Sequence, residues 1–180
     1  FFLYLPHIAP HFPLQAWEED IAKYRGKYKE GFQVIRERRF NKLKALNLVG
    51  KDAELSSSDE AVLDWETLSE AEKDTFDLRM AVYAAQVERI DKGVGEIIQT
   101  LEKYDALDNT LILFLSDNGG THENVNFKEF SGGEIGSRHS FTSYRRSWAH
   151  VSNTPFRMYK HWVHEGGIST PFIAHFPNMI

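Results

Sequence analysis

The sequence predicts an α/β fold, and three observations carry that reading. A long amphipathic helical pattern runs over residues 87–101. A continuous apolar run, "TLILFL" (110–115), follows it after a short polar break. A second apolar run, residues 171–176, is entered through a Gly-Gly pair. Helix, short turn and buried strand in succession are the building unit of a layered α/β sandwich.

Bulk composition agrees with a folded domain. The chain has 180 residues, 42% hydrophobic and 13% aromatic, enough to bury a core and to exclude disorder. A net charge of −5 gives no reason to expect nucleic acid or an anionic membrane as partner. No apolar run approaches the roughly 20 residues of a membrane-spanning helix. With no cysteine in the chain, it can form no disulfide of its own.

Taken in order, residues 1–5 ("FFLYL") predict a core strand. They lack a Met start, a basic leader and a small-residue cleavage site. A strand entered without a preceding loop implies that the chain begins in the middle of a domain. Pro6, Pro10 and Pro13 then exclude regular structure. Residues 17–24 suit a short helix. From Lys23 to Lys44 there are nine Lys/Arg against two Glu, with Phe32, Ile35, Leu43 and Leu46 spaced for a surface helix. Residues 51–77 reverse the sign, with ten Asp/Glu against two Lys, so the two runs are read as solvated surfaces able to face each other.

Ser69 and Glu72 fit a capping box and predict a helix start. Val87, Ile90, Val94, Ile97, Ile98 and Leu101 then recur at three- and four-residue steps. "DALDN" (105–109) ends that helix. The run 110–115 has the unbroken apolar character of a strand covered on both faces. Residues 121–152 are polar, rich in Gly, Ser, His and Arg, and aperiodic. They read as a long functional loop in which Arg138, His139, Arg145 and Arg146 are candidates to select a substrate.

Chemistry concentrates at strand ends, where ligands bind in open α/β sheets. "SDNGG" (116–120) places Asp117 and Asn118 directly after the apolar run. One charged and one neutral oxygen suit a hard cation such as calcium, and two glycines allow a sharp turn and close approach to a ligand. An Asx-type β-turn is the alternative reading. "APHFPLQA" (9–16) holds His11 among prolines, stiff enough to aim an imidazole, although a packed surface histidine has the same pattern. "RMYKHWVHEGG" (157–167) places Lys160 between Tyr159 and Trp162, as a point charge for an anionic oxygen or as a lysine lying over aromatics. A cation, a histidine and a lysine together would favour a tetrahedral oxyanion.

In this order, "APHFPLQA", "MAVYAAQVERIDKGVGEII" (80–98), "SDNGG" and "NTPFRMYKHWVHEGGISTPFIAHFP" (153–177) resemble the sulfatase family of the alkaline-phosphatase-like superfamily, and bacterial arylsulfatases in particular. "WETLSEAEKDTFDLRMAVYAA" (65–85) resembles the same group. Each motif alone is weak; their joint spacing is specific. The resemblance implies an α/β/α sandwich, of which residues 1–180 would be a middle-to-late part. It implies a sulfuric ester hydrolase acting on a small-molecule or carbohydrate sulfate ester, and it leans toward a periplasmic or secreted protein. Asp117 and Asn118 match two calcium ligands, Lys160 the sulfate-contacting lysine, and His11 the histidine at the leaving-group oxygen. His7 matches no motif position. The family's nucleophile, a formylglycine made from Cys or Ser in a C/S-x-P-x-R motif, has no counterpart here, so this chain alone is expected to be inactive. Two other readings stay open. One is a zinc phosphatase or phosphodiesterase of the same superfamily, in which His replaces Asn118. The other is a non-catalytic module binding sulfated glycans or calcium.

Overall fold

Trp148 is fully enclosed, and the fold is organised around it. Phe32 packs edge-on to Trp148, Trp65 and Phe76 with ring centroids 4.7, 4.9 and 5.1 Å apart, the geometry that the aromatic quadrupole favours. The Trp148 indole N–H donates to the Phe76 carbonyl at 2.9 Å, so its one polar atom is satisfied in the core. The structure, a computed structural model, describes residues 1–125 and 132–180.

Helix α1 spans Glu18–Ala22 and α2 spans Phe32–Ala45. Phe32 and Ile35 turn inward from α2 as the spacing predicts, and most of its basic residues face solvent; Phe40 is buried in place of Leu46, which lies past the helix end and is 56% exposed. A 3₁₀ turn, Trp65–Thr67, leads into α3, Glu70–Lys103. The predicted capping box is formed: Ser69 Oγ accepts from the Glu72 amide, and the Glu72 carboxylate accepts from the Ser69 amide at 2.8 Å. The buried part of α3 is its first half, with Phe76, Ala81, Val82 and Ala85. The apolar stripe from Val87 onward announces the helix correctly but is only partly covered.

The basic and acidic runs do meet. Arg25 reaches Asp74 at 2.8 Å and Asp77 at 2.5 Å, and Lys29 reaches Asp74 at 2.9 Å. Asp77 is fully buried and also accepts from the Gly26 and Tyr28 amides. It therefore pins the start of the basic segment to α3.

Strand β1, Ile112–Leu115, pairs antiparallel with β2, Phe172–His175, in the register Ile112↔His175 through Leu115↔Phe172. Two of the three predicted strands thus exist, and the mixed α/β class holds. Three expectations change. Residues 1–5 form no strand: no described strand pairs with them, and an isolated strand cannot satisfy its backbone groups. Leu113, Phe114 and Leu115 are 41–57% exposed, not covered on both faces, because the described helices pack on the Trp148 core and not on this ribbon. The segment 121–152 is not all loop. Residues 126–131 of it lie outside the described residues, and Arg145–Ser152 is helix α4, which carries Trp148. A short helix α5, Glu165–Ile168, precedes β2.

Helix α4 also buries His150, which is 2% exposed and has neither ring nitrogen hydrogen-bonded. Burial pushes its imidazole down to about 4, with Arg36 acting in the same direction and Asp59 against it. Between pH 6.5 and about 4 the unfolded imidazole binds a proton that the folded one refuses. Stability is therefore expected to fall as pH drops through that window. Urea unfolding at several pH values checks this, and His150→Leu should flatten that part of the slope.

Candidate functional site

Three distant stretches of chain meet beyond the end of β1. The first is the loop 116–120. Ser116 Oγ donates to Asn118 O at 3.2 Å, and Asn118 Nδ2 donates to Gly119 O at 2.9 Å. This local bond uses one of the two N–H donors of the Asn118 amide, and Oδ1 is the atom of that side chain with the chemistry for a cation. The Asp117 carboxylate is exposed.

The second stretch is the loop 157–167. The Lys160 amide donates to Gly120 O at 3.1 Å, and the Gly119 amide donates to Gly167 O at 2.9 Å. Two Gly-Gly pairs therefore lie backbone against backbone. A Cβ on Gly119 would sit 1.8 Å from Gly166 O, and one on Gly167 would sit 2.1 Å from Trp162 O. None of these four glycines has positive φ. Gly119 serves close approach to Gly166, Gly120 leaves room for Tyr144 and Asn153, and Gly166 and Gly167 lie against carbonyls of their own loop. Lys160 lies between two non-glycine residues in the left-handed region, Met158 at φ 66° and His161 at φ 84°. Its neighbour Tyr159 is fully buried and donates its hydroxyl to Asp59 Oδ2 at 3.0 Å.

The third stretch carries His11. Leu14, 1% exposed, donates its amide to Thr142 O at 2.9 Å, and Ala16 donates to Gly136 O at 3.0 Å. Gln15 Nε2 donates to Ser140 O at 2.8 Å. Arg79 of α3, itself buried, donates to Thr142 Oγ1 and to Ser143 O, so the long helix anchors the strip that holds the histidine loop.

The lysine and the histidine converge: Lys160 Nζ lies 3.4 Å from His11 Nε2. His11 Nδ1 lies 2.7 Å from Phe12 O, which can only accept. Nδ1 therefore carries the proton, and Nε2 of the neutral ring accepts from the lysine ammonium. An ammonium has three N–H donors. One is directed at His11; among the described residues no other acceptor bonds Nζ, which leaves donors for an oxyanion.

Residues beside this pair were not read from the sequence. The His122 ring lies 4.5 Å from Trp162 and 5.6 Å from Tyr159, with the His161 ring 6.2 Å away. Burial, followed by Arg146, lowers the His122 pKa. His161 Nε2 lies 3.7 Å from Glu123. Of the four candidates for substrate selection, Arg146 is occupied, bonded to Asp59 at 2.8 Å, and Arg145 is partly buried at the start of α4. Arg138 donates to its neighbour His139 at 2.9 Å, and both are exposed.

Among the described residues no three His, Cys, Asp or Glu side chains form a metal-binding group. Asp117 and Asn118 offer two adjacent hard oxygens. These match calcium chemistry and are too few for its six to eight ligands without further donors.

A family profile described as Sulfatase matches residues 1–180. An uncharacterized sulfatase of Schizosaccharomyces pombe is 37% identical over 193 residues, covering 100% of this chain and 35% of that protein. An arylsulfatase of Klebsiella aerogenes is 34% identical over 189 residues, covering 99% of this chain and 40% of that protein. A solved structure of Ps i-CgsB in complex with k-i-k-neocarrahexaose is 26% identical, with a TM-score of 0.45, covering 94% of this chain and 21% of that one. The chain thus spans 35–40% of the length of these two curated relatives.

Proposed function

The chain belongs to the sulfatase family, and from that premise we propose that the complete protein is a sulfuric ester hydrolase of the arylsulfatase type. Its substrate is a small-molecule or carbohydrate sulfate ester. The observation that carries this reading is the meeting of His11 Nε2 and Lys160 Nζ at 3.4 Å, on a loop bonded to Gly120 next to Asp117 and Asn118.

Asp117 and Asn118 are two of the ligands of one calcium ion. When bound, that ion supplies Lewis-acid polarisation of the sulfate oxygens. The formylglycine nucleophile belongs to a C/S-x-P-x-R motif that residues 1–180 do not contain. Lys160 directs its free N–H donors at the sulfate and at the oxygen on which charge develops as the S–O bond breaks. His11 serves the departing oxygen. As general acid, His11 would give a proton taken up from solvent at Nε2 to the leaving alkoxide or phenoxide as the S–O bond breaks. Nδ1–H stays on Phe12 O and keeps the ring oriented through that transfer.

The test is metal analysis and aryl sulfate turnover of the complete protein. Calcium is expected. Chelation should lower turnover at least about tenfold, and calcium should restore it where zinc does not. The 180-residue chain alone should turn over nothing. Zinc in the protein, with turnover of phosphate esters in place of sulfate esters, would replace this reading with the phosphatase one.

A further inference from the structure

Asn153 is 9% exposed and sits at the C-terminal end of α4. Its amide N–H donates to Ala149 O at 2.9 Å, and its carbonyl accepts from the Phe156 amide at 2.9 Å. The backbone is therefore tied to the helix that carries Trp148. Its side chain points away from that role. Asn153 Oδ1 accepts from the Gly120 amide at 2.8 Å, while Nδ2 donates to Met158 O at 2.9 Å and to Gly120 O at 3.4 Å. Gly120 O also accepts from the Lys160 amide at 3.1 Å.

One carboxamide thus bridges both loops. It holds the residue two places after Asn118 and the residue two places before Lys160. Only a side chain with an acceptor and a donor side by side can make all three bonds. Met158 is held at φ 66°, a conformation that costs a non-glycine residue free energy and persists only when its surroundings enforce it. The Nδ2 bond to Met158 O is such an enforcement.

We propose that Asn153 is the positioning residue that sets Lys160 in register with the Asp117–Asn118 loop. The inference rests on the sulfatase reading for its catalytic consequence and on the hydrogen bonds alone for its structural one. Asn153 touches no substrate. It acts through Gly120 and Met158.

The test uses Asn153→Asp and Asn153→Ala in the complete protein. Asp keeps the acceptor for the Gly120 amide and turns the donor into an oxygen facing two carbonyls. Ala removes the amide without adding charge. In both, hydrogen exchange at the Lys160 and Gly120 amides should speed up at least about tenfold while buried amides of α3, such as that of Val82, keep their protection. Turnover per folded molecule should fall about tenfold or more, mostly in kcat. In a Lys160→Ala background the same substitutions should change turnover by less than about threefold, because the side chain they position is gone.

The inference is overturned if the Lys160 and Gly120 amides exchange as in the wild type. It is also overturned if the α3 amides lose protection equally, or if the two substitutions multiply in the double variant. A wild-type protein without sulfate-ester turnover would overturn the functional reading instead, and the exchange result would then decide the inference.

Discussion

Replacing Lys160 by Ala in the complete protein is expected to lower kcat for an aryl sulfate by about 10²- to 10³-fold, the usual loss when one preorganised donor to a developing oxyanion is removed. The size follows from what the side chain provides. In the proposed reaction it is a full positive charge beside the site where negative charge would grow, held by a backbone bond to Gly120 and a side-chain contact with His11. Alanine removes the charge and also the donor that His11 Nε2 accepts from. Lys160→Arg should recover only part of the loss. Its planar fork places the charge differently from a compact ammonium. Steady-state kinetics with a chromogenic sulfate ester decides the matter. A loss of less than about tenfold, worth about 1.4 kcal/mol of barrier, would show that Lys160 does not meet the reacting group.

Gly119→Ala should be nearly as damaging, by a different route. The new methyl would fall 1.8 Å from Gly166 O and 3.3 Å from Gly167 Cα, and both belong to backbone. A flexible side chain could swing aside, but these atoms cannot move without shifting the Lys160 loop. Overpacking of this kind costs about 3 kcal/mol or more when the obstacle is rigid. A displacement of about 1 Å at a reacting group costs roughly 10²-fold in rate. The expected result is a lower melting temperature together with a large fall in turnover. Gly93→Ala in α3, where a Cβ meets nothing within 4 Å, is the control and should leave both unchanged or slightly improved. A Gly119→Ala protein with wild-type melting and turnover would mean that the two glycine pairs are not in contact.

The sequence displays the helices well because their signals are local. The capping box at Ser69, the three- and four-residue steps beyond Val87 and the polar break at 105–109 each lie within a few residues and need no partner. The same holds for β1 and β2, whose apolar runs announce them. Burial is another matter. The run 110–115 looks like a fully covered strand, yet Leu113 is 51% exposed. Coverage depends on what else packs there, and residue pattern cannot report that. Helix α4 escaped notice because it is only eight residues long: Trp148, Ala149 and Val151 make its inward face, but two turns are too short for a helical period to stand out among the Arg, Ser and His around them, although Trp148 is the centre of the core.

By itself the sequence determined the chemistry on offer: a carboxylate and an amide after an apolar run, a histidine among prolines, a lysine between aromatics. These are properties of residue type and near neighbours. Only the tertiary structure decided that His11 and Lys160 touch across 149 positions, and that Asn153 and the paired glycines hold the loops together. Contacts of that range are set by the packing of α3 and α4 and by backbone hydrogen bonds. The backbone bonds are made by atoms common to every residue and leave almost no trace in side-chain pattern, and side chains such as Asn153 carry no local sign of which distant loop they meet.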